Sequence, residues 1–241
     1  MYLMDLNMSK FQEMKKQINS VIIPIGMLEA HGPHCSLGTD VLIPRELIRR
    51  LDEELGHSLF IAPEIPYGHS FGLLPFDGTI DVSSDAFMMY VYQVGKELHR
   101  NGLTNIILFN GHGGNIPSLQ LVSEKLADLG AFVLTINWWI DYRSTILHIT
   151  PGFGHAGEDE TSLILAIDEN LADTDHLEHH ELGADPRLKY HNWGSDMFPN
   201  GYSGNPGAAT AEKGEKLYQV LVPLIVSDIE NMWNTINKMG E

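Results

Sequence analysis

The sequence predicts an α/β fold, with a mostly parallel central sheet between two helical layers. Three observations carry this. Four short apolar runs alternate with stretches of helical periodicity ten or more residues long. Gly- and Pro-rich segments punctuate the boundaries. Right-handed crossovers between parallel strands then place helices on both faces, a three-layer α/β/α arrangement.

Residues 9–18 read as a short amphipathic helix. Val21-Ile22-Ile23-Pro24-Ile25 is apolar and too short for a buried helix, so it reads as the first strand. Pro44 suits a helix start, and residues 45–55 continue it with Leu47, Ile48, Leu51 and Leu55 on one face. Residues 59–65 form a second strand that runs into a Gly/Pro-rich loop over 66–81. Ser83 and Ser84 can cap a helix that ends near Asn101-Gly102. Residues 105–109 are the third strand, followed by Asn110-Gly111-His112-Gly113-Gly114-Asn115 and a helix with Pro117 in its first turn, ending at Gly130. Residues 131–136 are the fourth strand. A Gly-rich loop at 151–157 precedes a helix that opens at Glu158 to Glu160. Residues 168–207 are mostly irregular. A last helix spans 210–239, with a bend expected at Pro223. The whole of 1–241 is expected to form one domain.

Composition narrows the function. With 43% hydrophobic and 20% charged residues, the chain can build a sizeable core. A formal net charge of −17 argues against nucleic acid or an anionic membrane as partner. No run reaches membrane-span length, and the first twenty residues lack a basic block followed by an apolar one, so neither a membrane span nor a signal peptide is expected. The lone cysteine, Cys35, fits a reducing compartment, so the expected location is the cytoplasm.

The most informative stretch follows the first strand. It places Glu29, His31, His34 and Asp40 in a backbone rich in glycine. Glu29 and His31 point the same way if the segment stays extended. The glycines and Pro33 then let Asp40 return to them. Oxygen and nitrogen donors converging at a strand end suit zinc, manganese or iron, and a bridging Asp40 could hold two ions roughly 3.5–4 Å apart. His112 lies on a Gly-rich strand-to-helix loop. A phosphate cradle on the helix N-terminus is the alternative reading there, although the Lys-Ser/Thr ending of a P-loop is missing. The third piece is His155-Ala-Gly-Glu158-Asp159-Glu160. Asp159 suits the helix dipole, while one of Glu158 and Glu160 can complete a metal shell and the other can orient a ligand imidazole. These three loops all fall at the carboxyl end of the sheet, where open α/β sheets bind ligands. His34 and His69 lie near this crevice. One of Trp138 and Trp139 is a candidate pocket wall. Cys35 reads as a small buried thiol rather than a nucleophile.

The segments 26–40, Phe76-Asp77-Gly78-Thr79, 110–115, 155–162, and Gly204-Asn205-Pro206 followed by Ala211-Glu212-Lys213-Gly214 resemble the creatininase (creatinine amidohydrolase) family, over nearly the whole chain. The resemblance implies an α/β/α layered fold, a centre of one or two divalent metals per subunit and hydrolysis of a C–N amide bond. A homohexamer is the implied assembly. By motif, the family's ligands fall on Glu29, His31, Asp40 and His112. Creatininases proper carry a further glutamate ligand at the position of Gly114, so Glu158 is expected to replace it, with Glu160 as second choice. They also carry a tryptophan before the histidine matching His155, and a histidine or acid–histidine pair where Gly72-Leu73 stand here. Those losses touch substrate recognition, so creatinine itself is not the expected substrate. Formamide deformylases and a peptidase of cofactor biosynthesis belong to the same family.

The expected activity is therefore metal-dependent hydrolysis of a small cyclic or linear amide, with zinc favoured over manganese or iron. A divalent cation lowers the pKa of a bound water and polarises the carbonyl. His155 is the expected proton-transfer group, with whichever of Glu160 and Glu158 is not a ligand as alternative base. The contrasting expectation is a metal-binding assembly or regulatory protein without catalysis.

Overall fold

Runs rich in Ile, Val, Leu and Phe have no polar edge to offer water on either face, so they pair side by side beneath helices. The structure, a computed structural model, describes residues 1–240. In chain order its elements are α1 (Met8–Met14), β1 (Ser20–Ile25), α2 (Thr39–Glu54), β2 (Phe60–Ile61), α3 (Ser84–Arg100), β3 (Asn105–Asn110), α4 (Ile116–Asp128), β4 (Phe132–Asn137), α5 (Trp138–Asp141), α6 (Arg143–Ile149), α7 (Glu158–Ile167), α8 (Trp193–Met197) and α9 (Ala211–Gly240). The strands form one all-parallel sheet in the order β2-β1-β3-β4. Every residue of β1 and β3 is buried.

Alternation along the strands divides the core in two. Val21, Ile23, Ile25, Ile106 and Leu108 face α3 and α4. Ile22, Ile107 and Phe109 face α2, α7 and α9. This is the expected α/β/α layering. No helix among the described residues is long and apolar enough to cross a membrane.

Three regions differ from expectation. The second strand shrinks to Phe60–Ile61, with a lone parallel bridge from Ile25 to Ile65 extending the edge. Two short helices, α5 and α6, fill the stretch after β4. The helix expected to start at Pro44 begins at Thr39 instead, which leaves Pro44 inside it. Proline there withholds only the N–H that would have bonded the Asp40 carbonyl, so the first turn still forms and carries Asp40.

The sheet order puts β1 beside β3, with the chain leaving them for opposite edges. Such a switch point opens a crevice beyond the strand ends. Ile25 and Asn110 end these strands in register, and the loops bearing Glu29, His31 and His112 follow directly.

Candidate metal centre

Main-chain packing brings the two loops together. Gly26 and Gly111 both lie against the Asp40 carbonyl, and a Cβ at either position would overlap it. Small residues are thus required where α2, β1 and β3 meet. Asn110 and Asn115 then brace the loop around His112. The Asn110 side chain accepts from the His112 N–H (3.1 Å) and donates to its carbonyl (2.8 Å). Asn115 donates to the Gly26 carbonyl (3.1 Å) and accepts from the His69 N–H (3.0 Å). Neither asparagine stands out as functional in the sequence, although both flank the glycines around His112.

Glu29, His31, Asp40, His112 and Glu160 are all buried, and they converge. Nδ1 of His31 donates to the Glu29 carbonyl (3.1 Å), which leaves Nε2 facing Asp40 Oδ1 at 3.1 Å. Nε2 of His112 donates to the His69 carbonyl (3.0 Å), which leaves Nδ1 at 2.9 Å from Asp40 Oδ2 and 3.3 Å from Glu29 Oε1. Nε2 of His155 donates to the Ala30 carbonyl (2.9 Å), and its Nδ1 lies 3.7 Å from Glu29 Oε1. A carbonyl can only accept, so each imidazole spends one N–H on the main chain and turns its other nitrogen toward carboxylates.

Apart from those ring nitrogens, which donate only when protonated, neither Glu29 oxygen nor Asp40 Oδ2 meets a hydrogen-bond donor among the described residues. Buried carboxylates facing imidazole nitrogens need a cation between them, either a proton on each ring or a metal ion. Three sets of side chains could each hold an ion: Glu29, Asp40 and His112; His31, Asp40 and Glu160; and Glu29, His31 and His155. Asp40 is common to the first two. Borderline nitrogen donors mixed with carboxylate oxygens fit a transition metal better than magnesium or calcium.

The electrostatics show the same demand for positive charge. Burial alone would depress His31, but the Asp40 carboxylate, helped by Glu160 and Glu29, holds it up at about 9. His112 is likewise raised against burial, by Glu29 and Asp40. Glu29 and Asp40 are lowered by the imidazoles despite burial. Glu160 is raised, because burial outweighs the pull of His31. His155 behaves oppositely. Burial and the neighbouring His31 ring, 4.4 Å away between centroids, push it down to about 4. Burial thus favours the neutral ring, and its Nδ1 makes no hydrogen bond among the described residues.

The two acidic candidates on α7 separate cleanly. Glu160 lines the cavity, accepts from the Ala156 N–H (2.6 Å) and lies 3.7 Å from His31 Nε2. Glu158, expected to replace the missing ligand, does not join the cluster. It is 1% exposed and bound to Lys213 Nζ and to the Gly152 N–H (2.6 Å). Its carboxylate fastens α9 and the 151–157 loop to the start of α7. Asp159 also turns inward, accepting from the Gly154 N–H (3.1 Å), and burial raises it to about 7. At Gly114, where creatininases proper carry a glutamate, a Cβ would overlap the His69 carbonyl and crowd the His112 ring.

Above the cluster lies a cavity of about 520 Å3. Its walls include Phe71, Trp139, Phe153, Trp193 and Phe198, with His69 and Lys189 as polar features. Trp139 is therefore the tryptophan at the cavity, and Trp138 is buried in the core. His69 pairs with Asp81 (3.0 Å). His34 does not reach the cavity; its Nε2 donates to the Ala156 carbonyl (3.0 Å) and so pins the loop behind His155. Lys189 and Phe198 are not legible in the sequence, because the irregular segment that carries them has no periodicity to place them.

Comparison with known proteins agrees with this geometry. The creatininase family model, described as creatinine amidohydrolase, matches residues 4–229. A creatinine amidohydrolase from Pseudomonas putida is 28% identical over 237 residues, covering 87% of this chain and 88% of that protein. A mycofactocin precursor peptide peptidase from Mycobacterium ulcerans (strain Agy99) is 28% identical over 235 residues, covering 93% and 90%. The crystal structure of a creatinine amidohydrolase (creatininase) superposes with a TM-score of 0.82 at 25% identity, covering 95% of this chain and 96% of that one. Related solved structures at 25% identity are described as a mutant creatininase of Zn-Zn type and as creatininase Mn, with TM-scores of 0.81 and 0.82.

Proposed function

The chain belongs to the creatininase family, and from that premise we propose that it is a metal-dependent hydrolase of a C–N amide bond in a small molecule. One observation carries the reading. Three imidazoles each give an N–H to a main-chain carbonyl and present the other nitrogen to buried carboxylates that have no donor of their own.

Glu29, Asp40 and His112 would hold one divalent ion, and His31, Asp40 and Glu160 a second, with Asp40 shared. Glu160 takes the ligand role expected of Glu158, whose carboxylate is already paired with Lys213. Zinc is the favoured metal, with manganese and iron as alternatives. When bound, the metal supplies a nucleophile at neutral pH by acidifying water, and polarises the amide carbonyl. The protein's own groups do the rest. The aromatic walls exclude bulk water and seat the substrate beside the cluster. His155, neutral and held by the Ala30 carbonyl, accepts a proton at Nδ1 and passes it to the departing nitrogen. The chain is proposed to act as one domain, in the cytoplasm, as a homohexamer whose mass in solution light scattering can check.

The test combines metal content with turnover. Protein loaded with zinc or manganese is expected to hold one or two ions per subunit by elemental analysis and to hydrolyse members of a panel of formamides, cyclic ureides and short peptides. His31→Ala and Asp40→Ala should lose metal and activity together. Full metal occupancy with no turnover of any panel member would favour a non-catalytic metal-binding protein.

A further inference from the structure

We propose that Lys189 selects for substrates that carry an anionic group as well as an apolar or aromatic part. The inference rests on the cavity being the amide-hydrolase site and adds the class of molecule that enters it.

Lys189 is the one lysine or arginine on the wall of this cavity among the described residues. Its ammonium sits 3.2 Å from the centroid of the Trp193 ring and donates to the Pro186 carbonyl at 2.7 Å. An ammonium has three N–H donors, so one remains unspent. Among the described residues no carboxylate lies within ion-pairing distance of it, although Asp185 acts on it electrostatically from farther away. The neighbouring cation of the same loop, Arg187, is by contrast consumed by Asp185 at 2.7 Å. Trp193 is itself fixed, its indole N–H donating to the Asp185 carbonyl at 3.2 Å. The lysine head therefore rests on an anchored aromatic platform that keeps its charge available.

Its surroundings give that charge a purpose. The protein carries a formal net charge of −17, and three of its acidic residues, Glu29, Asp40 and Glu160, line this cavity. An anionic substrate would be repelled from such a surface unless a cation met it near the mouth. The walls beside Lys189 are aromatic: Phe71, Trp193 and Phe198. The matching ligand has a ring or apolar chain for these walls, an amide reaching the carboxylate–imidazole cluster, and a carboxylate or phosphate on Lys189. A charge-assisted hydrogen bond there would also fix which end of the molecule enters first.

The test measures binding before turnover. The full-length protein is titrated with 4-phenylbutyrate and with 4-phenylbutyramide, which differ in charge and little in shape, by calorimetry or tryptophan fluorescence. Wild type should prefer the carboxylate. Lys189→Met should weaken the carboxylate by about tenfold and the amide far less, while Lys189→Arg should restore the preference. Lys125→Met removes another exposed lysine stacked on a ring, at Tyr92, outside the cavity, and should change neither ligand. Equal weakening of both ligands by Lys189→Met, or no weakening, overturns the proposal. A second arm compares N-formylphenylalanine with its amide on metal-loaded protein. Lys189→Met should raise KM for the acid while kcat holds. If wild type hydrolyses neither compound, the hydrolase reading is what suffers, and the binding titrations still decide the role of Lys189.

Discussion

At the scale of single residues, His155 and Cys35 lead to opposite expectations. His155 keeps one N–H on the Ala30 carbonyl, and burial together with His31 holds its ring at about 4. It faces the cavity as a neutral base, and the proposed ligand sets close without it. His155→Ala is therefore expected to keep its metal by elemental analysis and lose about 10²–10⁴-fold in turnover, the usual worth of a positioned proton-transfer group. Full activity in that variant would remove His155 from the mechanism. Cys35 sits near the same loops but hydrogen-bonds to Thr39 at 3.3 Å, and burial pushes its thiol up to about 12. A thiolate is the reactive form, so Cys35 should resist thiol reagents at neutral pH in the folded protein and react with one equivalent after unfolding. Rapid labelling of the native chain would contradict that burial.

At the scale of elements, the start of α7 decides what each of its acids does. Glu158 and Glu160 are two positions apart, so on a helix they project to different sides. Glu160 turns to the cavity, and Glu158 turns to Lys213 on α9. Lys213→Ala would leave a fully buried carboxylate without its cation and should cost about 3 kcal/mol in denaturant unfolding, with Glu158→Gln in the same background recovering part of it. No loss in the single variant would mean that water replaces the lysine. This pair also marks the limit of the sequence. The strands, the helices between them and the three ligand-bearing loops were legible because alternation, periodicity and glycine placement are local signals. Glu29, His31, Asp40 and His112 converge as their loops suggested. The choice between Glu158 and Glu160 was not legible, since it depends on helix rotation and on a lysine 55 residues away. The start of α2 was misplaced because Pro44 resembles a helix beginning, whereas here the loss of its N–H is tolerated one turn further in.

At the scale of the whole molecule, the switch point between β1 and β3 concentrates negative charge where an already acidic protein can least accommodate it. Glu29, Asp40 and Glu160 share one buried crevice, where a cation between them offsets their mutual repulsion without protonating any of them. Bound metal would therefore act as a structural clamp between the loops that leave the two central strands, as well as a catalyst. With free metal at a hundred times its dissociation constant, the linkage amounts to about 2.7 kcal/mol, which for a chain of this length corresponds to roughly 5–11 °C in melting temperature. Adding a chelator should lower the melting temperature by that order, and zinc or manganese should restore it. Sodium chloride at equal ionic strength should not, since salt screens buried charges poorly. Asp40→Ala lacks the shared ligand and should melt at one temperature with or without chelator. A wild-type melting curve indifferent to chelator, on protein confirmed to have released its metal, would separate the centre from the stability of the fold and confine it to chemistry.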